Sequence, residues 1–483
     1  MVTLREKIIL ALVALVVFGG AVAAPFQYDD YAIFADPAIT SAGGWLDVWS
    51  PLQTRPLTYL TFWFNFQTGG NSAWSYHALN LAIHLACCLL LFDVLGRLLP
   101  RRTAFISALL FAVHPLQSEV VIYIFARSGM LAAMFCLLSW RCWIMERRWW
   151  AVLWFVPALL AKEECAAFPL FLALMPGARS QWRQIAAMCG LSLTAGVRVI
   201  LATKAIAGAG SGFDAGVTPA AYLTAQGVAI FRYLRLFVIP WGFSVDAALQ
   251  TNLAWIAWPV VGGLAVLAWR SPYRMWLIGA LVLLAPSSSI FPTADLSADR
   301  RMYLPMIALC AGAALAIERF KPYWVIGLLA VLAIARVAVW QSEEALWSEA
   351  LERAPNKIRP RLMLARVVPP EKGLLLLEGA KILEPENAAV YAEIGRIDMQ
   401  RGRYMDALMD FGKALAIRPG DARALNNRGV ALQAMGQTET ARADFEAALR
   451  ADPCQFDARL NLKRFDAPAT CRYSDEQRRI MGR

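Results

Sequence analysis

The chain has 483 residues, of which 58% are hydrophobic and 17% charged, with a formal net charge of +11. That composition excludes a disordered chain and argues against an ordinary soluble enzyme. Residues 341–483 carry 23 Lys/Arg and 21 Asp/Glu, against 24 and 15 in residues 1–340, so the basic excess belongs to an apolar body rather than to the charge-dense tail. Basic residues in short inner loops of a membrane domain account for the excess, and no nucleic acid is implied.

Eleven apolar runs of spanning or near-spanning length are expected, at about 8–24, 76–99, 103–124, 128–145, 149–161, 166–176, 184–202, 254–269, 275–291, 302–318 and 323–340. With the N-terminus inside, alternate connections collect Arg5 and Lys7, Arg97, Arg101 and Arg102, Arg141, Arg147 and Arg148, Arg179 and Arg183, Arg270 and Arg274, and Arg319 and Lys321. The positive-inside bias favours that orientation, which leaves the tail on the extracytoplasmic side of a bacterial inner membrane. The first run reads as a tether, although Ala21-Val22-Ala23 also fits a signal-peptide cleavage site. Residues 221–240 read as an interfacial helix, because Arg232 and Arg235 fall within them.

Polar residues that interrupt this pattern are the candidates for chemistry. An outer loop over 25–75 contains Tyr28-Asp29-Asp30-Tyr31, followed by Arg55 and Asn65. The adjacent carboxylates of Asp29 and Asp30 are either a solvated flank or a general base at the membrane surface. His77, Asn80 and His84 share one helical face, and His114 is followed by Glu119 and Arg127. No HxxxH or HxH spacing occurs, so these residues read as a polar stripe shaping a cavity rather than as a zinc site. Lys162-Glu163-Glu164 breaks an apolar stretch. Asp299-Arg300-Arg301 opens the next outer segment ahead of Tyr303 and runs against the positive-inside bias. Fixed cations there suit an anionic head group such as a phosphate leaving group.

The tail repeats. Pro385, Pro419 and Pro453 are spaced at the 34-residue tetratricopeptide period. One unit carries Gly395, Ala407, Phe411 and Ala414, and the next carries Gly429, Ala441, Phe445 and Ala448. Small residues suit close helix crossings and the aromatic fills the gap between helices. Cys454 and Cys471 are the tail's two cysteines, either a disulfide or two free thiols. The expected architecture is all-α: a polytopic bundle over 1–340 and a short extracytoplasmic repeat solenoid over 341–483.

Taken in order, these segments resemble the transmembrane-and-tetratricopeptide (TMTC-like) O-mannosyltransferase family of the GT-C class and its bacterial relatives. The resemblance rests on Tyr28-Asp29-Asp30-Tyr31-Ala32-Ile33, Arg55-Pro56-Leu57-Thr58, Tyr76-His77 with Asn80 and His84, and Phe111-Ala112-Val113-His114-Pro115 with Glu119 and Arg127. It continues through Lys162-Glu163, Asp299-Arg300 with Tyr303-Leu304-Pro305, and Trp340 with Leu346-Trp347. Gln117 stands where the family often has a second histidine, and Asp299 where it usually has glutamate. The resemblance implies sugar transfer from a polyprenyl-phosphate-linked donor to an acceptor protein, inverting and without a metal or other cofactor. Asp29 or Asp30 would be the base, Lys162, Arg300 and Arg301 would meet the donor phosphate, and Arg55, His77, Asn80, His84, His114, Glu119, Arg127, Glu163, Asp299 and Tyr303 would shape the site. A non-catalytic membrane-anchored scaffold for envelope proteins is the alternative reading.

Overall fold

The first helix, Leu4–Phe18, begins on a capping box: Glu6 donates its backbone N–H to the Thr3 hydroxyl, and the Glu6 carboxylate accepts the Thr3 backbone N–H at 3.1 Å. The computed structural model describes residues 3–51, 53–205, 217–320, 322–464, 466, 468, 471 and 473–480, so Lys321 lies outside the described residues. The chain divides into two units. One comprises Met1–Phe34 and Gly43–Ser342, the other Ala35–Ala42 and Glu343–Arg483.

The first unit is built around Ala73–Leu95, a 23-residue helix that is apolar nearly all round and therefore buried on most sides. It packs against Leu4–Phe18, Arg101–Val113 and Arg127–Ile144. Arg127–Ile144 in turn packs on Arg148–Ala161, and Tyr303–Ile317 packs on Arg274–Leu284 and Arg101–Val113. Among the described residues, five helices are long and apolar enough to cross a membrane, or up to seven when each bent pair counts as one span. The eleven expected passes are thus a count of apolar runs, not of helices of spanning length. The run at 103–124 bends by 51° at His114-Pro115. The run at 149–161 is a 14-residue helix with Pro157 inside it, and the run at 166–176 holds only the six-residue helix Phe168–Ala173. Proline removes an amide donor and clashes with the preceding turn, so apolar stretches around it do not form one straight rod.

The segment read as an outer loop is partly helical. Pro56–Gly69 is a 14-residue helix whose proline stands at the first turn, where its missing N–H costs nothing. Residues 221–238 of that stretch belong to Pro219–Val238, a 20-residue helix capped by the Thr218 hydroxyl, which accepts the Ala221 N–H at 3.2 Å. It is not one of the five span-like helices.

In the second unit, Ala388–Gln400 pairs with Tyr404–Ile417, and Ala422–Ala434 with Thr438–Ala451. The turns between partners use Gly402 and Gly436 in the left-handed region, at φ 72° and 78°. Cys454 and Cys471 form a disulfide. Helix partners touch at Gly429, where an added Cβ would stand 2.6 Å from the Phe445 ring. Gly429→Ala is therefore expected to destabilise the array by about 1–3 kcal/mol through overpacking. Chemical denaturation of the tail checks this, with Gly412→Ala as control, since a Cβ at Gly412 meets nothing within 4 Å.

Candidate functional site

The polar interruptions of the first unit lie where helices end. The turn Tyr28–Tyr31 follows the first helical segment and holds its two carboxylates differently. Asp30 is fully buried, and its oxygens accept the backbone N–H groups of Gln27 at 3.0 Å and Phe125 at 2.8 Å. Burial pushes its carboxyl up to about 8, against the opposing pull of those backbone donors. Asp30 thus pins the turn to the 124–126 segment. Asp29 is half-buried, and its Oδ2 accepts a hydrogen bond of 2.8 Å from the Tyr123 hydroxyl.

Tyr123 follows the short helix Ser118–Ile122, and the guanidinium of Arg300 stands 5.7 Å from its ring centroid. Arg300 also bonds Glu119 Oε1 at 2.7 Å and Asp295 Oδ2 at 2.9 Å. Arg301 is held by neutral oxygens: Thr293 Oγ1 at 2.7 Å, the Asp295 carbonyl at 2.6 Å and the Leu296 carbonyl at 3.3 Å. Asp299 makes a buried ion pair with Arg232, and both lie within the field of Glu119.

A second set of charges adjoins the first. Lys162, just past the end of Arg148–Ala161, is buried and pairs with Glu164 at 2.7 Å. Burial holds the ammonium below the usual lysine range, with Glu164 opposing. Arg55 grips Glu163 with two bonds, Nε to Oε2 at 3.0 Å and Nη2 to Oε1 at 2.5 Å. Burial alone would raise Glu163, but the Arg55 charge and hydrogen bond prevail and bring it down to about 2. Arg55, Glu163, Glu164, Thr293 and Arg301 line one cavity of about 280 Å³. An apolar cavity of about 510 Å³ runs between Pro219–Val238, Ala254–Arg270 and Arg274–Leu284 and is also lined by Met302 and Pro305, next in chain to Arg301.

Other sequence candidates lie elsewhere. Arg127 is fully buried, and it bonds Asn80 Oδ1 and Asn65 Oδ1 at 2.6 Å each, the Tyr76 carbonyl at 3.0 Å and Thr61 Oγ1 at 3.2 Å. The three histidines diverge. His84 Nδ1 meets the Tyr303 hydroxyl at 2.9 Å, His114 Nε2 meets the Phe237 carbonyl at 3.0 Å, and the buried His77 ring lies against the backbone of Ala24, Pro25 and Ile122. Tyr123, Asp295 and Arg232 were not among the candidate site residues. Asp295 had a faint signal, as a carboxylate four residues ahead of the Asp299 cluster. Tyr123 had none, because an aromatic inside an apolar run is ordinary. The arrangement brings a carboxylate that can accept a proton within one ring of a fixed cation, beside a cavity bearing more cations.

A family model for the TPR repeat matches residues 395–436, and one for the tetratricopeptide repeat matches 422–453. Among curated proteins, a Caenorhabditis elegans protein O-mannosyl-transferase is 24% identical over 359 residues, covering 65% of this chain and 51% of that protein. Drosophila melanogaster protein O-mannosyl-transferase Tmtc1 is 31% identical over 34% of this chain and 21% of its own length, and human protein O-mannosyl-transferase TMTC2 is 31% identical over 29% and 18%. The chain therefore spans about half the length of the worm relative and less of the other two. Among solved structures, the TPR protein YrrB aligns with 31% of this chain and 86% of its own at 20% identity and a TM-score of 0.24, and MamA with 29% and 82% at 17% and 0.23.

Proposed function

From its homology to the TMTC-type protein O-mannosyl-transferases, we propose that this chain is a membrane glycosyltransferase that moves a sugar from a polyprenyl-phosphate-linked donor to a hydroxyl of an acceptor protein on the extracytoplasmic face. The observation that carries the reading is the line Asp29–Tyr123–Arg300, with a 2.8 Å hydrogen bond and a cation over the ring. A hydroxyl is a weak nucleophile at neutral pH, so a positioned carboxylate must take its proton as the new bond forms. Asp29 suits that part better than Asp30, because Asp30 is fully buried and engaged by backbone donors. Transfer then proceeds by a single inverting displacement of GT-C type. The sugar–phosphate bond breaks as the acceptor oxygen attacks, and the phosphate keeps the electron pair.

Cations must meet that growing charge. Arg301 is suited to this, because its hydrogen bonds in the resting protein go to neutral oxygens. Lys162 and Arg300 add charge nearby, while Arg55 and Glu163 shape the wall of the same cavity. The polyprenyl chain would take the apolar cavity that begins at Met302 and Pro305. The repeat tail binds the acceptor protein, and the Cys454–Cys471 disulfide supports an oxidising, extracytoplasmic setting for it. The N-terminus is then cytoplasmic in a bacterial inner membrane, and no cofactor or metal takes part. Glycopeptide mass spectrometry of envelope proteins from a strain lacking the gene tests this: a defined mass increment disappears from serine or threonine peptides and returns with the intact gene. An unchanged glycopeptide profile refutes the enzyme and favours a scaffold.

A further inference from the structure

Tyr123 has no assigned part in the chemistry above, yet three functional groups meet on it. Its hydroxyl donates to Asp29 Oδ2 at 2.8 Å. The Arg300 guanidinium stands 5.7 Å from its ring centroid. The indole of Trp340 stacks with it, centroids 6.1 Å apart and planes inclined by 29°. Trp340 is in turn tied to the turn that carries Asp29, because the Gln27 side-chain amide donates to the Trp340 carbonyl at 3.1 Å. The ring therefore has little freedom to rotate: the indole backs it, the hydroxyl is engaged, and the guanidinium lies against it.

We infer that Tyr123 is a positioning residue for sugar transfer, its hydroxyl holding the ionised Asp29 carboxylate while its ring seats Arg300, an inference that rests on the reading of Asp29 as the base. The physical case has two parts. A hydroxyl that donates to a carboxylate favours the ionised form, which is the form able to accept the acceptor's proton. The negative face of a phenol ring attracts a guanidinium and fixes where it lies. One side chain thereby spaces the proton acceptor from the cation, and correct spacing of reacting groups is a large share of catalytic power. A core tyrosine with no such part would more simply point its hydroxyl at a backbone carbonyl, as Tyr222 does at Ser287.

The titratable and charged groups around the pair are Asp30 on the same turn, Arg300 on the ring, Glu119 and Asp295 that hold Arg300, and Lys162 within the field of Arg300. Tyr123→Phe removes none of them and keeps the ring. Its expected effect has a definite sign. Without the donated hydrogen bond the ionised carboxylate is less favoured, Asp29 takes up its proton at higher pH, and the acidic limb of the rate profile moves upward by about one pH unit. The rate at its own plateau falls by about tenfold as the base and cation lose their spacing.

The test uses permeabilised membranes of the host strain lacking the gene and carrying the full chain, Tyr123→Phe or Asp29→Asn. It follows the glycopeptide mass increment that the deletion removes, across a series of buffered pH values. The limb is read relative to each variant's own plateau, so a lower amount of folded protein does not imitate a shift. An upward-shifted limb for Tyr123→Phe, with Asp29→Asn inactive, supports the inference. An unshifted limb overturns it, whether the plateau falls or not, and so does failure of Tyr123→Phe to accumulate, which marks a purely structural residue. Activity retained by Asp29→Asn instead defeats the reading of Asp29 as the base and leaves Tyr123 no base to position.

Discussion

Asp29→Asn is expected to lower sugar transfer by about 10²–10⁴-fold while the protein still accumulates in the membrane. The amide has nearly the shape of the carboxylate, and its oxygen can still accept the 2.8 Å hydrogen bond from Tyr123. What it loses is the ability to take a proton. Asp29 is half-buried and the near-isosteric amide keeps the Tyr123 bond, so the loss should be chemical rather than structural. The neighbouring position behaves differently. Asp30→Asn puts an NH₂ group against one of two backbone N–H donors, so Asp30 variants should lose protein along with activity. Measuring glycopeptide yield per unit of folded protein separates the two. Comparable specific activity for Asp29→Asn and the parent would sink the assignment of the base.

Arg127→Met carries the largest expected cost to folding, about 2–5 kcal/mol from two buried acceptors left without a donor. The guanidinium reaches four oxygens on three sides and lies 4.9 Å from the Phe62 ring centroid and 5.8 Å from that of Tyr76. Removing it strands the side-chain oxygens of Asn80 and Asn65 in a closed interior, each an acceptor that water cannot reach. Arg127→Lys should rescue little, because one ammonium cannot span a fork of acceptors. Thermal unfolding in detergent is the measurement. A normal unfolding temperature combined with lost transfer would move Arg127 out of the scaffold and into the site.

Arg127 also illustrates what can be read from residues in order. Its place after His114 and Glu119 suggested a site-shaping cation, but its partners Asn65 and Asn80 come from two other helices, and no local pattern encodes that pairing. The repeats were legible for the opposite reason. Gly395 with Phe411, and Gly429 with Phe445, recur with one period, so each unit repeats the same local packing problem. Charges at the ends of apolar runs were equally visible, and Asp29, Lys162 and Arg300 stood out because each costs free energy unless paired or wet. Their partners were less so: Asp295, which pairs with Arg300, was not a candidate, and Arg232, which pairs with Asp299, read as part of an interfacial helix. Helix ends were hidden as well, since hydropathy sums across Pro115 without registering the bend there.

Most cations of the site are already matched with carboxylates: Arg55 with Glu163, Lys162 with Glu164, Arg300 with Glu119 and Asp295. On the proposed function, a donor phosphate would meet Arg301, held by neutral oxygens, and compete with resident anions for the other cations rather than fill an empty positive hole. Exchange of one anion for another changes the net charge of the encounter little, so salt should slow capture less than it would for an unneutralised patch. Discrimination follows from the same bargain. A neutral lipid cannot displace any carboxylate, whereas an anionic head group can take over a cation and release its former partner to reorganise, which couples occupancy to a local change of shape.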